Sequence, residues 1–214
     1  MSSRRLALTL VLCTSMVLAA MVIVSMITGA TQEAHEYYAT PAAYAAGLLE
    51  HAGGLRLLMG LDLAFLVLYT AMFAALVTHL RTLGRPFVTL ALGFLVGTAV
   101  LDAVEDHQIL TALSMAEQGQ LASDAWIGFQ QILSATKFAL SYLGLFLLGV
   151  AIPRSTKLGV ALTVFFTAGT LLTAILSVAA PPAMRAQLDS GRWLSFLVGF
   201  GLLAAWLQAS RDEA

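Results

Sequence analysis

A lysine and a group of carboxylates stand in sequence that is otherwise strongly apolar. Lys137 lies in GFQQILSATKFALSYLGLF and Asp62 in GLDLAFLVLYT, while GTAVLDAVEDHQIL (97–110) brings Asp102, Glu105, Asp106 and His107 together. An ammonium and carboxylates in such a setting can form ion pairs, exchange protons or hold a cation through oxygen ligands. Asp102, Glu105 and Asp106 are related by i, i+3 and i+4, so they share one helix face. Like charges so close repel unless a cation, a proton or Lys137 offsets them.

Lys137 sits about 11 residues beyond Trp126, roughly 17 Å along a straight helix. A cation that deep in a bilayer costs at least about 2.5–3.5 kcal/mol unless it finds water or a partner. Gln130, Ser134, Lys137 and Ser141 recur at intervals of four, three and four, which is one helical stripe. The stripe is expected to face other helices. Asp62, with Tyr69 seven positions later, falls about 10 Å from its helix end and Asp102 about 8 Å from its own. The Lys137 stem can carry the ammonium outward to that level. The expected site is a polar pocket open to the extracytoplasmic side. Asp62, Asp102 and Lys137 form its base, and Glu105, Asp106 and His107 lie at its rim, where the helix leaves the membrane. The alternative is a purely structural set of pairs that fixes helix register.

Other chemistry is less well supported by spacing. His35, His51 and His107 are candidate metal ligands, together with Glu33, Glu36, Glu50, Glu105 and Asp106, and would suit zinc or a similar ion. No HxxxH or HExxH spacing links them. The four histidines offer no facing pair for haem, and the single Cys13 precludes a multi-cysteine iron–sulfur site or an internal disulfide. Neither cofactor is expected. Ser134 and Ser141 flank Lys137 at helical spacing, which raises a Ser–Lys dyad as an enzymatic option. No residue is assigned a catalytic role. Gly93 and Gly97 form a GxxxG, and Gly199 and Gly201 lie close together near the C-terminus, as close helix packing would require.

The elements that position these residues follow from composition. The 214-residue chain is 59% hydrophobic and 11% charged, with a formal charge of −1. Those values describe an integral membrane protein and leave no basic patch for nucleic acid. Six spans are expected, at approximately 6–29, 55–79, 87–108, 126–151, 158–179 and 192–209, in one all-α transmembrane domain. The first apolar run is longer than a signal peptide's core and reads as a retained helix. Breakers occur at RTLGRP (81–86), IPRSTKLG (152–159) and AAPPAM (179–184). In the first long loop, Thr40 as N-cap, Pro41 at the first helical position and Gly53 as a stop predict a short interfacial helix.

Charge asymmetry orients the chain. Arg4, Arg5, Arg81, Arg85, Arg154, Lys157 and Arg211 fall on one side, against Arg56, Arg185 and Arg192 on the other. Both termini are therefore expected in the cytoplasm, with Glu33, Glu36, Glu50, Glu117, Asp124 and Asp189 outside. Trp126 and Trp193 fall at the outer boundary and Trp206 near the inner one. The compact, Ala/Leu/Gly-rich form suggests a bacterial inner membrane. The reading preferred on these grounds is a protein that binds or passes a proton, a cation or a small amphipathic ligand, in the manner of a transporter or receptor. An intramembrane lipid-modifying enzyme with a metal, and a structural subunit of a homo-oligomer or larger complex, are the alternatives. Lipid is a partner in every case.

Overall fold

The structure, a computed structural model, describes residues 2–37, 39–179 and 184–209, without the side chains of 185–190. It is all-helical, and no strand occurs among the described residues. In chain order the helices are α1 (Ser3–Thr28), α2 (Pro41–Glu50), α3 (Ala52–Thr82), α4 (Val88–Glu117), α5 (Asp124–Ala151), α6 (Lys157–Val164), α7 (Thr170–Ala179) and α8 (Arg185–Ala209). A wider π turn, Phe165–Gly169, joins α6 to α7, so Lys157–Ala179 runs as one span. With α1, α3, α4, α5 and Gly191–Ala209 of α8, that makes six helices long and apolar enough to cross a membrane. The chain is a multi-pass, integral membrane protein with a six-helix fold. Arg211 and the prolines of AAPPAM lie outside the described residues, as do the side chains of Arg185 and Asp189.

The helices overrun several of the expected boundaries. The third span was expected to end near 108, yet α4 continues to Glu117. Its acidic stretch does not end the helix, because Glu105 and Asp106 are buried among partners instead of facing water. The true end is at Gly119, whose φ of +73° is the left-handed cap. There the N–H of Gly119 donates to Ala116 and that of Gln120 to Met115, closing the last turn. Gly84 (φ +76°) ends α3 in the same way. Thr40 does cap α2, its side chain accepting from the Ala43 N–H, with Pro41 at the first position. Gly53 is not a stop: α2 ends at Glu50, and Gly53 is the second residue of α3.

Residues 17–66 and 99–137 form one compact unit, and residues 1–16, 67–98 and 138–214 the other. In the second of these, helices approach closely where glycine removes a side chain. A Cβ on Gly144 of α5 would lie 2.7 Å from Leu95 Cγ and 3.2 Å from the Ala91 carbonyl oxygen of α4. In the expected GxxxG, Gly97 is near Leu140, while Gly93 has no neighbour within 4 Å. Likewise a Cβ on Gly199 would press on Phe165, and Gly201 faces open space. Arg4 donates to the Leu207 carbonyl at 3.4 Å, which ties α1 to the end of α8.

The unit of 17–66 and 99–137 holds the ionisable side chains. Each of its helices buries a stripe at helical spacing. On α3 the stripe runs Leu55, Leu58 and Asp62; on α4, Glu105, Asp106, Ile109 and Leu113; on α5, Ile127, Gln130, Ser134 and Lys137. Residues 29–37 cross from α1 towards α2 as a strap with one 3-10 turn, Glu33–His35. Close packing at Gly144 gives a direct test. Gly144→Ala should cost about 1–3 kcal/mol through overpacking, whereas Gly93→Ala should leave the melting midpoint of the detergent-purified protein unlowered. Equal midpoints for the two variants would contradict the packing assigned to Gly144.

Candidate polar site

Lys137 is the centre of the site. Its stripe on α5 carries it inside the unit, where it is only 4% exposed. Its ammonium donates to Asp102 Oδ1 at 2.8 Å and to Glu105 Oε2, and lies 3.7 Å from Glu36 Oε1. Glu105 is 0% exposed and is surrounded by donors. Gln130 Nε2 reaches Oε1 at 2.9 Å, the Ser134 hydroxyl donates to the same oxygen, and Gln32 Nε2 reaches Oε2 at 3.2 Å. With Lys137 these four donors match the acceptor capacity of one carboxylate.

Asp62 and Asp106 are in a different position. They are 4% and 5% exposed, no donor reaches Oδ2 of either, and the two carboxyl groups lie within hydrogen-bonding reach of one another. Asp106 Oδ1 accepts from Gln32 Nε2 at 3.2 Å. One carboxylate oxygen from each of Asp62, Asp102 and Asp106 lies within 4.8 Å of the other two. Asp102 alone among the cluster carboxylates reaches the surface, with 15% of its side chain exposed. One ammonium therefore faces five carboxylates among the described residues, a formal excess of four negative charges if all are ionised. Burying that excess without protons or a cation would cost many times the stability of an ordinary fold.

Three contributors come from the connection and helix that precede α3. Gln32 and Glu36 of the strap are both buried, and both point into the cluster. Tyr44 of α2 is buried with its hydroxyl unpartnered, and burial, then the charge of Glu105, pushes its pKa up to about 12. Sequence reasoning missed Gln32 and Tyr44, and took Glu36 as an outer acid and a metal-ligand candidate beside the histidines instead of a partner of Lys137. A loop glutamine has no periodicity to mark it, and Tyr44 looked like one more apolar residue of an interfacial helix.

The other expected residues are placed as follows. Glu105 and Asp106 belong to the buried cluster and not to a solvated rim, whereas His107 is exposed. His107 lines a shallow apolar depression with Val100, Val104 and Trp126. Tyr69 and Ser141 are buried in the other unit, Tyr69 edge-on to Phe73 at 5.9 Å. The three histidines do not converge: the triad of Asp62, Asp102 and Asp106 is the one potential ligand group among the described residues, and it contains no histidine. His51 packs beside Gly29, and His35 lies edge-on to Tyr44 at 5.5 Å. The Ser–Lys dyad is not formed, since Ser134 donates to Glu105 and Lys137 is taken up by carboxylates.

Two tests follow from these contacts. Lys137→Met should lose about 3–5 kcal/mol, because it strands buried carboxylates. Adding Glu105→Gln should restore part of that loss in a double-mutant cycle of melting midpoints; strict additivity would contradict the pairing. The second test concerns His35, whose pKa is lowered to about 4 by burial first and by His51 second. Below pH 6.5 the unfolded chain takes up a proton that folded His35 refuses until about pH 4, so this residue's contribution falls as pH falls through that window. The stability difference between wild type and His35→Gln should shrink from pH 7 to pH 4, with Glu36, Tyr44 and His51 common to both proteins. A difference independent of pH would contradict a neutral, buried His35.

Comparison of the chain with protein-family models, with curated proteins and with solved structures finds no match. Its function has to be argued from the site.

Proposed function

We propose that this membrane protein binds and exchanges a proton or a small hard cation at Asp62, Asp102 and Asp106, in the manner of a transporter or an ion-responsive receptor. The observation that carries this reading is the buried charge count: five carboxylates, one ammonium, and two aspartates each with an oxygen that no donor reaches. Lys137 and Glu105 act as the fixed half of the cluster, because four donors take up the oxygens of Glu105. Asp62 and Asp106 act as the variable half. Carboxylate oxygens favour protons and hard cations such as Na⁺, Mg²⁺ or Ca²⁺ over soft metals.

The excess of positive residues at the opposite helix ends supports an extracytoplasmic opening, with both termini in the cytoplasm. Asp102, the most exposed member, is the point of contact with water on that side. The structural reading is favoured by one feature, the complete set of donors around Glu105, and it applies to that residue and Lys137. It gives no reason for two more aspartates beside them.

Proton release on cation addition tests the proposal. Salt titrated into weakly buffered, detergent-purified protein should release protons with NaCl, MgCl₂ or CaCl₂ but not with choline chloride. If protons alone are exchanged, reconstituted vesicles should instead show a proton flux. Asp62→Asn and Asp106→Asn should each abolish the response. A wild-type protein with neither release nor flux, or a response untouched by both substitutions, would overturn the reading.

A further inference from the structure

The cluster is closed on one side by the strap, and the strap's contribution is unusual for a loop. Gln32 brings a single amide nitrogen to 3.4 Å from Asp102 Oδ1, 3.2 Å from Glu105 Oε2 and 3.2 Å from Asp106 Oδ1. An amide has two N–H groups, so three anionic acceptors compete for two hydrogens. The nitrogen adds no net positive charge to a region with a large negative excess. It holds two members of the Asp62, Asp102 and Asp106 group, beside the Lys137 ammonium that shares the same Asp102 and Glu105 oxygens.

We infer that Gln32 is a displaceable plug: its side-chain amide holds Asp102 and Asp106, two of the three aspartates of the cation group, and the strap 29–37 must lift it away for a cation to enter. This rests on the proton-or-cation reading above and adds to it how access is controlled. Hard cations bind carboxylate oxygens at about 2.0–2.6 Å. The present 3.2–3.4 Å spacing would have to close by roughly 1 Å once the amide has gone.

The strap is the element suited to move. The alternatives are α3, α4 and α5, each of 28 residues or more and each anchored by a long apolar stripe. The strap buries Ala30, His35, Gln32 and Glu36, so much of what holds it is polar and belongs to the site itself. Segments held by few apolar contacts open at the lowest free energy. It begins at Gly29, whose φ of +70° gives a sharp change of direction after α1. It is also held by the packing of Ala30 against Gly54 and by the edge contact of His35 with Tyr44. Glu36, 3.7 Å from the Lys137 ammonium, leaves with it, which frees Lys137 to turn towards the remaining carboxylates as the ion arrives.

Hydrogen exchange and calorimetry on the full chain in detergent test this. Wild type is compared in NaCl, MgCl₂ and choline chloride at equal ionic strength, and over a pH series in choline chloride for the proton alone. Amides of 29–37 should exchange several-fold faster in whichever condition fills the site, while those of α3, α4 and α5 near the cluster do not speed up. Gln32→Lys places a tethered ammonium beside Asp102 and Asp106, so it should lose both cation binding and proton release while raising the melting midpoint. Gln32→Ala should keep binding and shorten the time needed to reach equilibrium.

Should wild type bind a cation or proton while strap exchange stays constant, the plug is wrong and the proton-or-cation reading stands. Binding by Gln32→Lys at wild-type affinity would overturn it in the same way. If wild type shows no binding, no proton release and no flux, both fall together. The exchange measurement needs no variant, so a misfolded Gln32→Lys leaves the plug open to disproof.

Discussion

Lys137 cannot be left alone in a hydrocarbon layer, and much of the unit formed by 17–66 and 99–137 is arranged around that constraint. A buried ammonium needs an anion, and Glu105 on α4 supplies one with no exposure to solvent. A buried carboxylate in turn needs donors, and Gln130 and Ser134 stand seven and three residues before Lys137 on its own stripe to provide them. The pair thereby fixes the rotation of α5 relative to α4 within this unit. Apolar packing alone specifies such rotations weakly in a membrane, because lipid tails compete on equal terms with side chains.

The same constraint explains why the cluster is more than a structural tie. One ammonium is matched by one carboxylate, and Glu105 would have sufficed. Asp102, which shares Lys137, and Glu36, Asp62 and Asp106 add negative charge beyond what the one ammonium balances among the described residues. An arrangement that needs a mobile positive charge to be stable is one whose stability changes with that charge's availability. Binding and conformational response are then two aspects of a single equilibrium.

What could be read in the sequence was what periodicity encodes. Spans of about 20 apolar residues marked six helices, and the four-three-four spacing of Gln130, Ser134, Lys137 and Ser141 marked a face. Asp62 and Asp102 were singled out because a charge in an apolar run needs a reason. Glu105 and Asp106 were misplaced at a solvated rim because the depth of an acidic residue depends on its partners, and those partners lie on other helices. Gln32 illustrates the limit most clearly. It sits in a loop with no repeat, and its three carboxylate partners lie some seventy positions away, at 102, 105 and 106. Nothing local distinguishes it from any other polar loop residue.

The charge state of the buried aspartates is the quantity on which everything else turns, and infrared difference spectroscopy reads it directly. In cation-free buffer at neutral pH, wild type should show the carbonyl stretch of a protonated carboxyl group in an apolar setting. That band should diminish in Asp62→Asn or Asp106→Asn and should shift or vanish when the binding cation is added. A spectrum with every carboxylate ionised in cation-free buffer, unchanged by either substitution, would contradict a cluster that needs a proton or cation to stay buried.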